Sequence, residues 1–127
     1  MNYLGIDYGT KKVGIAYSEG IMPRPLKTIG YKNLDSLVEQ IQEISIQKNA
    51  RTLVVGYPEG INRESVDGLI RRLKEKGLIV ETVDESLTTW QVYQDATRAN
   101  IKAEKVRQTV DQQAAANILQ IYLDGKS

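Results

Sequence analysis

The 127-residue chain contains no cysteine and no histidine. Those two absences remove the usual zinc ligands, thiol nucleophiles, disulfides and every acid, base or triad built on an imidazole. Chemistry in this chain falls to carboxylates, lysine, tyrosine and hydroxyls. The natural cofactor is then a hard divalent cation, Mg²⁺ or Mn²⁺, which needs only oxygen ligands. Excess charge is missing too: 17 Lys and Arg against 16 Asp and Glu leave a net charge of +1. No whole-molecule field draws such a chain to nucleic acid or membrane, so any basic surface is local. No apolar stretch approaches the roughly 18 residues of a membrane span, and Met1-Asn2-Tyr3-Leu4 does not open a leader with a charged start and a long apolar run. These readings predict a soluble cytoplasmic protein with no membrane partner.

What is present is ordinary globular composition, 41% hydrophobic and 26% charged, far from the low-hydrophobicity, high-charge corner where chains stay disordered. A chain of this length is expected to form a single domain, residues 1–127, and to bury about two thirds of its surface. Tyr3 to Ile6 is a strand signal ending at Asp7, and Val13 to Tyr17 is a second. The turn Tyr8-Gly9-Thr10-Lys11-Lys12 joins them as a hairpin. Leu26 to Ile29 reads as a third strand after Pro23 and Pro25. Leu34, Leu37, Val38, Ile41 and Ile44 recur at helical spacing behind Asn33, a capping residue, and predict a helix to about Lys48. Leu53-Val54-Val55 reads as a strand covered on both faces, Gly56 to Glu64 as a loop, and Ser65 to Lys76 as a helix ended by Gly77. Leu78 to Val83 repeats the buried-strand pattern. A helix from Ser86 to about Asn100 and a last one over Lys105 to Leu123 complete a mixed sheet with helices on its faces.

Three carboxylate positions stand out. Asp7 closes the first strand, Asp84 and Glu85 close a later one, and sites in α/β sheets collect at the carboxyl ends of strands. Asp111 precedes Ala115, Ile118, Leu119 and Tyr122 at offsets of 4, 7, 8 and 11, which places it on the apolar stripe of its helix, where an unpartnered carboxylate is costly. Each has a plainer reading: a turn-forming Asp7, a solvated Asp84-Glu85 pair, and an Asp111 in the first turn of a helix starting at Gln108 or Thr109. Together, in a chain without His or Cys, they favour a carboxylate metal site. Basic residues cluster as Arg98, Lys102, Lys105 and Arg107, with Lys11-Lys12 and Arg71-Arg72 as further pairs. Phosphate is the natural partner for such patches, and a solvated surface is the plainer reading.

The segment Gly5-Ile6-Asp7-Tyr8-Gly9-Thr10-Lys11-Lys12-Val13-Gly14-Ile15-Ala16 resembles the opening of the YqgF family, also called RuvX. Val54-Val55-Gly56-Tyr57-Pro58 is similar to the family's strand with a Gly-x-Pro ending. Asp84-Glu85-Ser86-Leu87-Thr88-Thr89 resembles its Asp-Glu-Arg-Leu-Thr-Thr segment, and Asp111 with Ala114-Ala115 and Ile118-Leu119-Gln120 resembles its final helix. The resemblance implies an α/β, RNase H-like fold: a mixed five-stranded sheet with helices on both faces. It further implies a nuclease, a hydrolase of phosphodiester bonds, with Asp7, Glu85 and Asp111 as catalytic residues and metal ligands for two Mg²⁺ or Mn²⁺ ions. Asp84 is the alternative to Glu85, since strand alternation lets one of two neighbours face a site.

The implied role is 5′-end maturation of precursor small-subunit ribosomal RNA, with cleavage of Holliday junctions as the alternative. Partners are then nucleic acid (pre-rRNA or branched DNA) and ribosome precursors, bound by a monomer or weak homodimer. Ser86 stands where the family has Arg, a bidentate phosphate clamp that Ser cannot replace, so Arg63, Arg71 or the 98–107 stretch is expected to take that contact. Two other classes compete. A phosphate-binding ATPase or kinase shares the Asp7-Tyr8-Gly9-Thr10 turn but needs a second half for which 127 residues leave no room. A nucleic-acid-binding module that keeps the fold without the activity is the other, and metal-dependent cleavage separates it from a nuclease.

Overall fold

A computed structural model of the protein describes residues 1–9, 11–57, 63–84 and 103–126. Five strands form one sheet: β1 (Tyr3–Tyr8), β2 (Lys12–Ser18), β3 (Arg24–Gly30), β4 (Thr52–Tyr57) and β5 (Ile79–Asp84). The helices are α1 (Leu34–Gln47), α2 (Arg63–Glu75) and α3 (Ala103–Lys126). The sheet order is β3-β2-β1-β4-β5. The β1–β2 and β2–β3 pairs are antiparallel, and β1–β4 and β4–β5 are parallel.

Strand alternation sorts the core into two faces. Leu4, Ile6, Val13, Ile15, Leu53 and Val55 point to one side, where Leu37, Val38 and Ile41 of α1 and Val66, Leu69 and Leu73 of α2 cover them. Tyr3 and Val54 point to the other, against Ile118 and Leu119 of α3. Ala16 joins that second face, packed with Ala115 and Ala116. The helical spacings read from the sequence therefore do pack on the sheet. Asn33 caps α1, its side-chain oxygen accepting from the Ser36 amide at 2.8 Å. Gly77, at φ +86°, follows α2 in the left-handed region that favours glycine.

Several boundaries differ from the sequence reading. β4 continues through Gly56 and Tyr57 and α2 begins at Arg63, so the expected 56–64 loop is shorter at both ends; residues 58–62 lie outside the described residues. β5 is not covered on both faces as its apolar run suggested. It is the last strand of the sheet, with Ile79 55% exposed and Glu81 and Thr82 at the surface. A hydrophobic run reports what lies above and below a strand but not whether a neighbour pairs beside it. β3 starts at Arg24 and includes Pro25, tolerated because β3 is the opposite edge. The expected helix from Ser86 to Asn100 falls outside the described residues. No described helix is long and apolar enough to cross a membrane.

Candidate active site

β1, β3, β4 and β5 all run the same way, so their carboxyl ends meet at one end of the sheet, where β2 begins. Asp7 lies there, on the central strand. It shares strand parity with Tyr3 and Gly5, which touch α3, so its side chain projects to the α3 face. β1 extends one residue past Asp7 to Tyr8, because the ladder with Val13 continues.

The row through Asp7 is short of side chains. Its antiparallel partner on β2 is Gly14, and Gly14 pairs in turn with Thr28 on β3. On the other side, Gly56 follows Val55, the partner of Ile6. Glycine in a strand interior gives up packing and marks a place where something approaches closely. Glycine therefore stands on both strand flanks of Asp7. The Thr28 hydroxyl oxygen, in the same row, is buried and has no hydrogen-bond partner among the described residues.

α3 crosses this face antiparallel to β1. Tyr3 meets Tyr122, ring centroids 5.8 Å apart, and two positions along the strand Gly5 meets Ala115 and Leu119. Beyond Ala115 the helix runs on towards the strand end that carries Asp7, and Asp111 lies on that part of it. The helix sits close where Gly5 and Ala16 meet Ala115 and Ala116. α3 begins at Ala103, not at Gln108 or Thr109, so Asp111 is not a first-turn residue. Ala115, Ile118 and Leu119 are fully buried, as their offsets from Asp111 require.

Asp84 is the last residue of β5, opposite Tyr57. Its side chain and that of Asp111 are not described, and Glu85 lies outside the described residues. On β5, Val83 packs with Tyr3, Val54, Ile118 and Leu119, so odd positions share the face of Asp7. Among the described residues, no group of three or more acidic side chains is placed to hold a metal ion.

The basic candidates divide. Lys11 and Lys12 are exposed at the turn beside Asp7, and Arg63 is exposed at the start of α2, at the same end of the sheet. Lys105 and Arg107 belong to the part of α3 that runs past Asp111, an overhang of about 12 Å at 1.5 Å per residue; their side chains are not described. Arg98 and Lys102 lie outside the described residues. Arg71 and Arg72 are on α2, behind the sheet from Asp7. They line a cleft of about 620 Å³ with the acidic Asp35, Glu39 and Glu75, and Arg72 pairs with Asp35. That cleft is of mixed charge and offers no continuous track for phosphates.

Sequence reasoning did not single out Gly14, Thr28 or Tyr31. Glycines inside the strand patterns at 14 and 56 were the available signal for the first. Thr28 and Tyr31 carry no such mark, since only strand pairing brings them to this end. The Tyr31 hydroxyl donates to the Gly9 carbonyl at 2.6 Å, and its ring lies 6.0 Å from that of Tyr8. Burial pushes its pKa above the ordinary tyrosine range, helped by the hydrogen bond to Tyr8 and then by that group's charge.

The donor chemistry fits a hard divalent cation: a carboxylate between glycines at a strand end, in a chain without histidine or cysteine.

Residues 1–125 match the family described as "RuvX: Holliday junction resolvase". A protein of Moorella thermoacetica named "Putative pre-16S rRNA nuclease" is 36% identical over 133 residues, covering 98% of this chain and 95% of its own. One of the same name from Nitratidesulfovibrio vulgaris is 32% identical over 133 residues, with 98% and 94% covered. Among solved structures, T. thermophilus RuvC in complex with a Holliday junction substrate superposes with a TM-score of 0.61 at 14% identity, covering 98% of this chain and 96% of that one. The fowlpox virus resolvase, solved with Holliday junction DNA, gives 0.61 at 9% identity, with 99% of both chains covered. At such identities the likeness is one of fold.

Proposed function

The chain belongs to the RuvX family and has an RNase H-like fold, and from that premise we propose that it is a metal-dependent nuclease acting in 5′-end maturation of precursor 16S ribosomal RNA. The observation that carries this reading is Asp7. It stands at the carboxyl end of the central strand, flanked by glycine, on the face that α3 covers. Asp7, Glu85 and Asp111 are the residues that would hold Mg²⁺ or Mn²⁺. Glu85 is taken over Asp84 on the family resemblance, with Asp84 as the alternative. The bound cation supplies positive charge for the phosphoryl oxygens and a more acidic water.

The chain's own residues do the rest. The β ladder fixes Asp7 through its pairing with Gly14, so the carboxylate needs little reorganisation to act. Lys11, Lys12, Arg63, Lys105 and Arg107, with Arg98 and Lys102, are the cations proposed to follow a phosphate backbone towards it, and Arg63 is the described arginine best placed to replace the clamp lost at Ser86. Since there is no histidine, proton transfer involves water and carboxylates.

A second reading, cleavage of branched DNA, is favoured by the family's description as a Holliday junction resolvase. A cleavage panel tests both. Labelled precursor 16S RNA, single-stranded RNA and a four-way DNA junction are incubated with Mg²⁺, with Mn²⁺ and with EDTA. Metal-dependent cutting at the 5′ precursor end supports the first reading, and preference for the junction supports the second. Binding without cutting of any substrate would leave a nucleic-acid-binding module and end the nuclease reading.

A further inference from the structure

The turn after Asp7 is held from behind. Asp7 itself is tied into the sheet by its ladder, but the ladder between β1 and β2 ends at the Tyr8–Val13 pair, and the residues beyond must be fixed by other means. One tie is internal: the Gly9 amide donates to the Lys12 carbonyl at 3.1 Å. The fit is tight, because a Cβ on Gly9 would stand 2.6 Å from that same oxygen. The second tie comes from another strand. Tyr31 follows Gly30, the β3 partner of Lys12, and its hydroxyl reaches across to donate to the Gly9 carbonyl. The Tyr31 ring rests near Tyr8, whose parity points it away from α3 and therefore away from the Asp7 carboxylate. The segment carrying Tyr31 is anchored in turn, since the Gln40 side-chain amide of α1 donates to the Gly30 carbonyl at 3.2 Å. A continuous set of contacts thus runs from α1 through Gly30 and Tyr31 to Gly9. Its far end is the corner that carries Lys11 and Lys12, both exposed beside the candidate active site.

We propose that Tyr31 is a positioning residue for nucleic-acid binding: its hydroxyl, held on the Gly9 carbonyl, fixes the turn that presents Lys11 and Lys12 to a phosphate backbone. The inference rests on the nucleic-acid reading of the site but not on catalysis. Lysine is a flexible point charge, and the benefit of placing its backbone is that less freedom is lost when phosphate binds. Tyr31 touches no substrate. It acts through the turn.

Tyr31→Phe keeps the ring and removes only the hydroxyl. Binding of a short labelled single-stranded RNA is measured in EDTA, so that no cleavage intervenes, for the wild type, Tyr31→Phe, Lys11→Ala with Lys12→Ala, and all three changes together. Tyr31→Phe is expected to weaken binding roughly three- to tenfold, the equivalent of one modest hydrogen bond. In the double-lysine background the same change is expected to have no further effect, because the residues it positions are gone. A purely structural tyrosine would lower stability and leave the affinity of the folded protein unchanged. Full affinity in Tyr31→Phe, an undiminished effect of Tyr31→Phe without the lysines, or no RNA binding by the wild type would each overturn the proposal. Intact binding in a protein that cuts nothing would instead end the nuclease reading and leave this one standing.

Discussion

Gly5 and Ala115 meet backbone to backbone: a Cβ placed on Gly5 would stand 2.5 Å from the Ala115 carbonyl oxygen and 3.1 Å from the Leu119 Cβ. This contact sets how closely α3 lies on the sheet.

Gly5→Ala is therefore expected to force α3 outward and to destabilise the protein by about 3 kcal/mol, the upper range for overpacking a close-packed core. Gly68 is the contrast. It lies inside α2, and its nearest foreign atom is the Leu34 Cδ2, 3.7 Å from an ideal Cβ. Gly68→Ala should stabilise by roughly 0.5–1 kcal/mol through helix propensity. Urea unfolding of the two variants, with opposite shifts in midpoint, checks both.

Asp7→Asn should abolish metal-dependent cleavage and leave the fold intact, since the amide keeps the shape of the carboxylate while removing its charge. If the proposed ligands cluster, their carboxylates repel when no cation is bound, so the thermal midpoint without metal is expected to hold or rise. Cleavage assays and melting curves on the same preparation decide it, and full activity in this variant would place the nuclease chemistry elsewhere.

Substitution separates Glu85 from Asp84. With Glu85 as the proposed ligand, Glu85→Gln is expected to lose cleavage as Asp7→Asn does, whereas Asp84→Asn should keep most of it. Single-turnover rates for the two variants give the answer directly, and the reverse result would move the ligand to Asp84.

Salt dependence tests the basic stretch 98–107. For single strands each phosphate neutralised contributes about −0.7 to the slope of log affinity against log salt, so Lys102→Ala with Lys105→Ala should reduce the slope by roughly 1 to 1.5 if both touch phosphate. Arg71→Ala, on the far side of the sheet in a cleft shared with Asp35, Glu39 and Glu75, is expected to change it little. Fluorescence anisotropy across a salt series measures all three.

Tyr31 predicts an alkaline effect. Its folded-state pKa is raised, so below the ordinary tyrosine range, near 10, the proton is on in both states and stability does not depend on it. As pH rises above that range the unfolded chain releases the proton while the folded protein keeps it, and this contribution to stability declines. Urea midpoints between neutral and alkaline pH should fall less steeply for Tyr31→Phe than for the wild type, and parallel slopes would contradict the assignment.

Much of this arrangement was legible in the chain because helical spacing and strand alternation report directly on burial. The α1 stripe from Leu34 to Ile44 with its Asn33 cap, and the run Ala115, Ile118, Leu119 after Asp111, needed no tertiary information. The edge position of β5 was not legible, because Ile79 and Val80 look the same in a central strand and a lateral one. Asp7 was readable from its place at a strand end, whereas Gly14 and Thr28 acquire meaning only once β2 and β3 pair beside it. The separation of Arg71 from the site has the same origin. Adjacent basic pairs look alike in sequence, and only packing decides which side of the sheet each occupies.

The docking of α3 on β1 also orders events during synthesis. The face of the sheet covered by α1 and α2 draws on residues from Leu4 to about Val80, all made early, while the other face waits for a helix whose contact with Gly5 spans 110 positions of chain. Translation therefore delivers the α1–α2 face of the sheet before the α3 residues that pack on Tyr3 and Val54 are made. On the proposed site, the Lys11–Lys12 turn is in place before Asp111 exists, so a nascent chain would hold RNA before it could cut it.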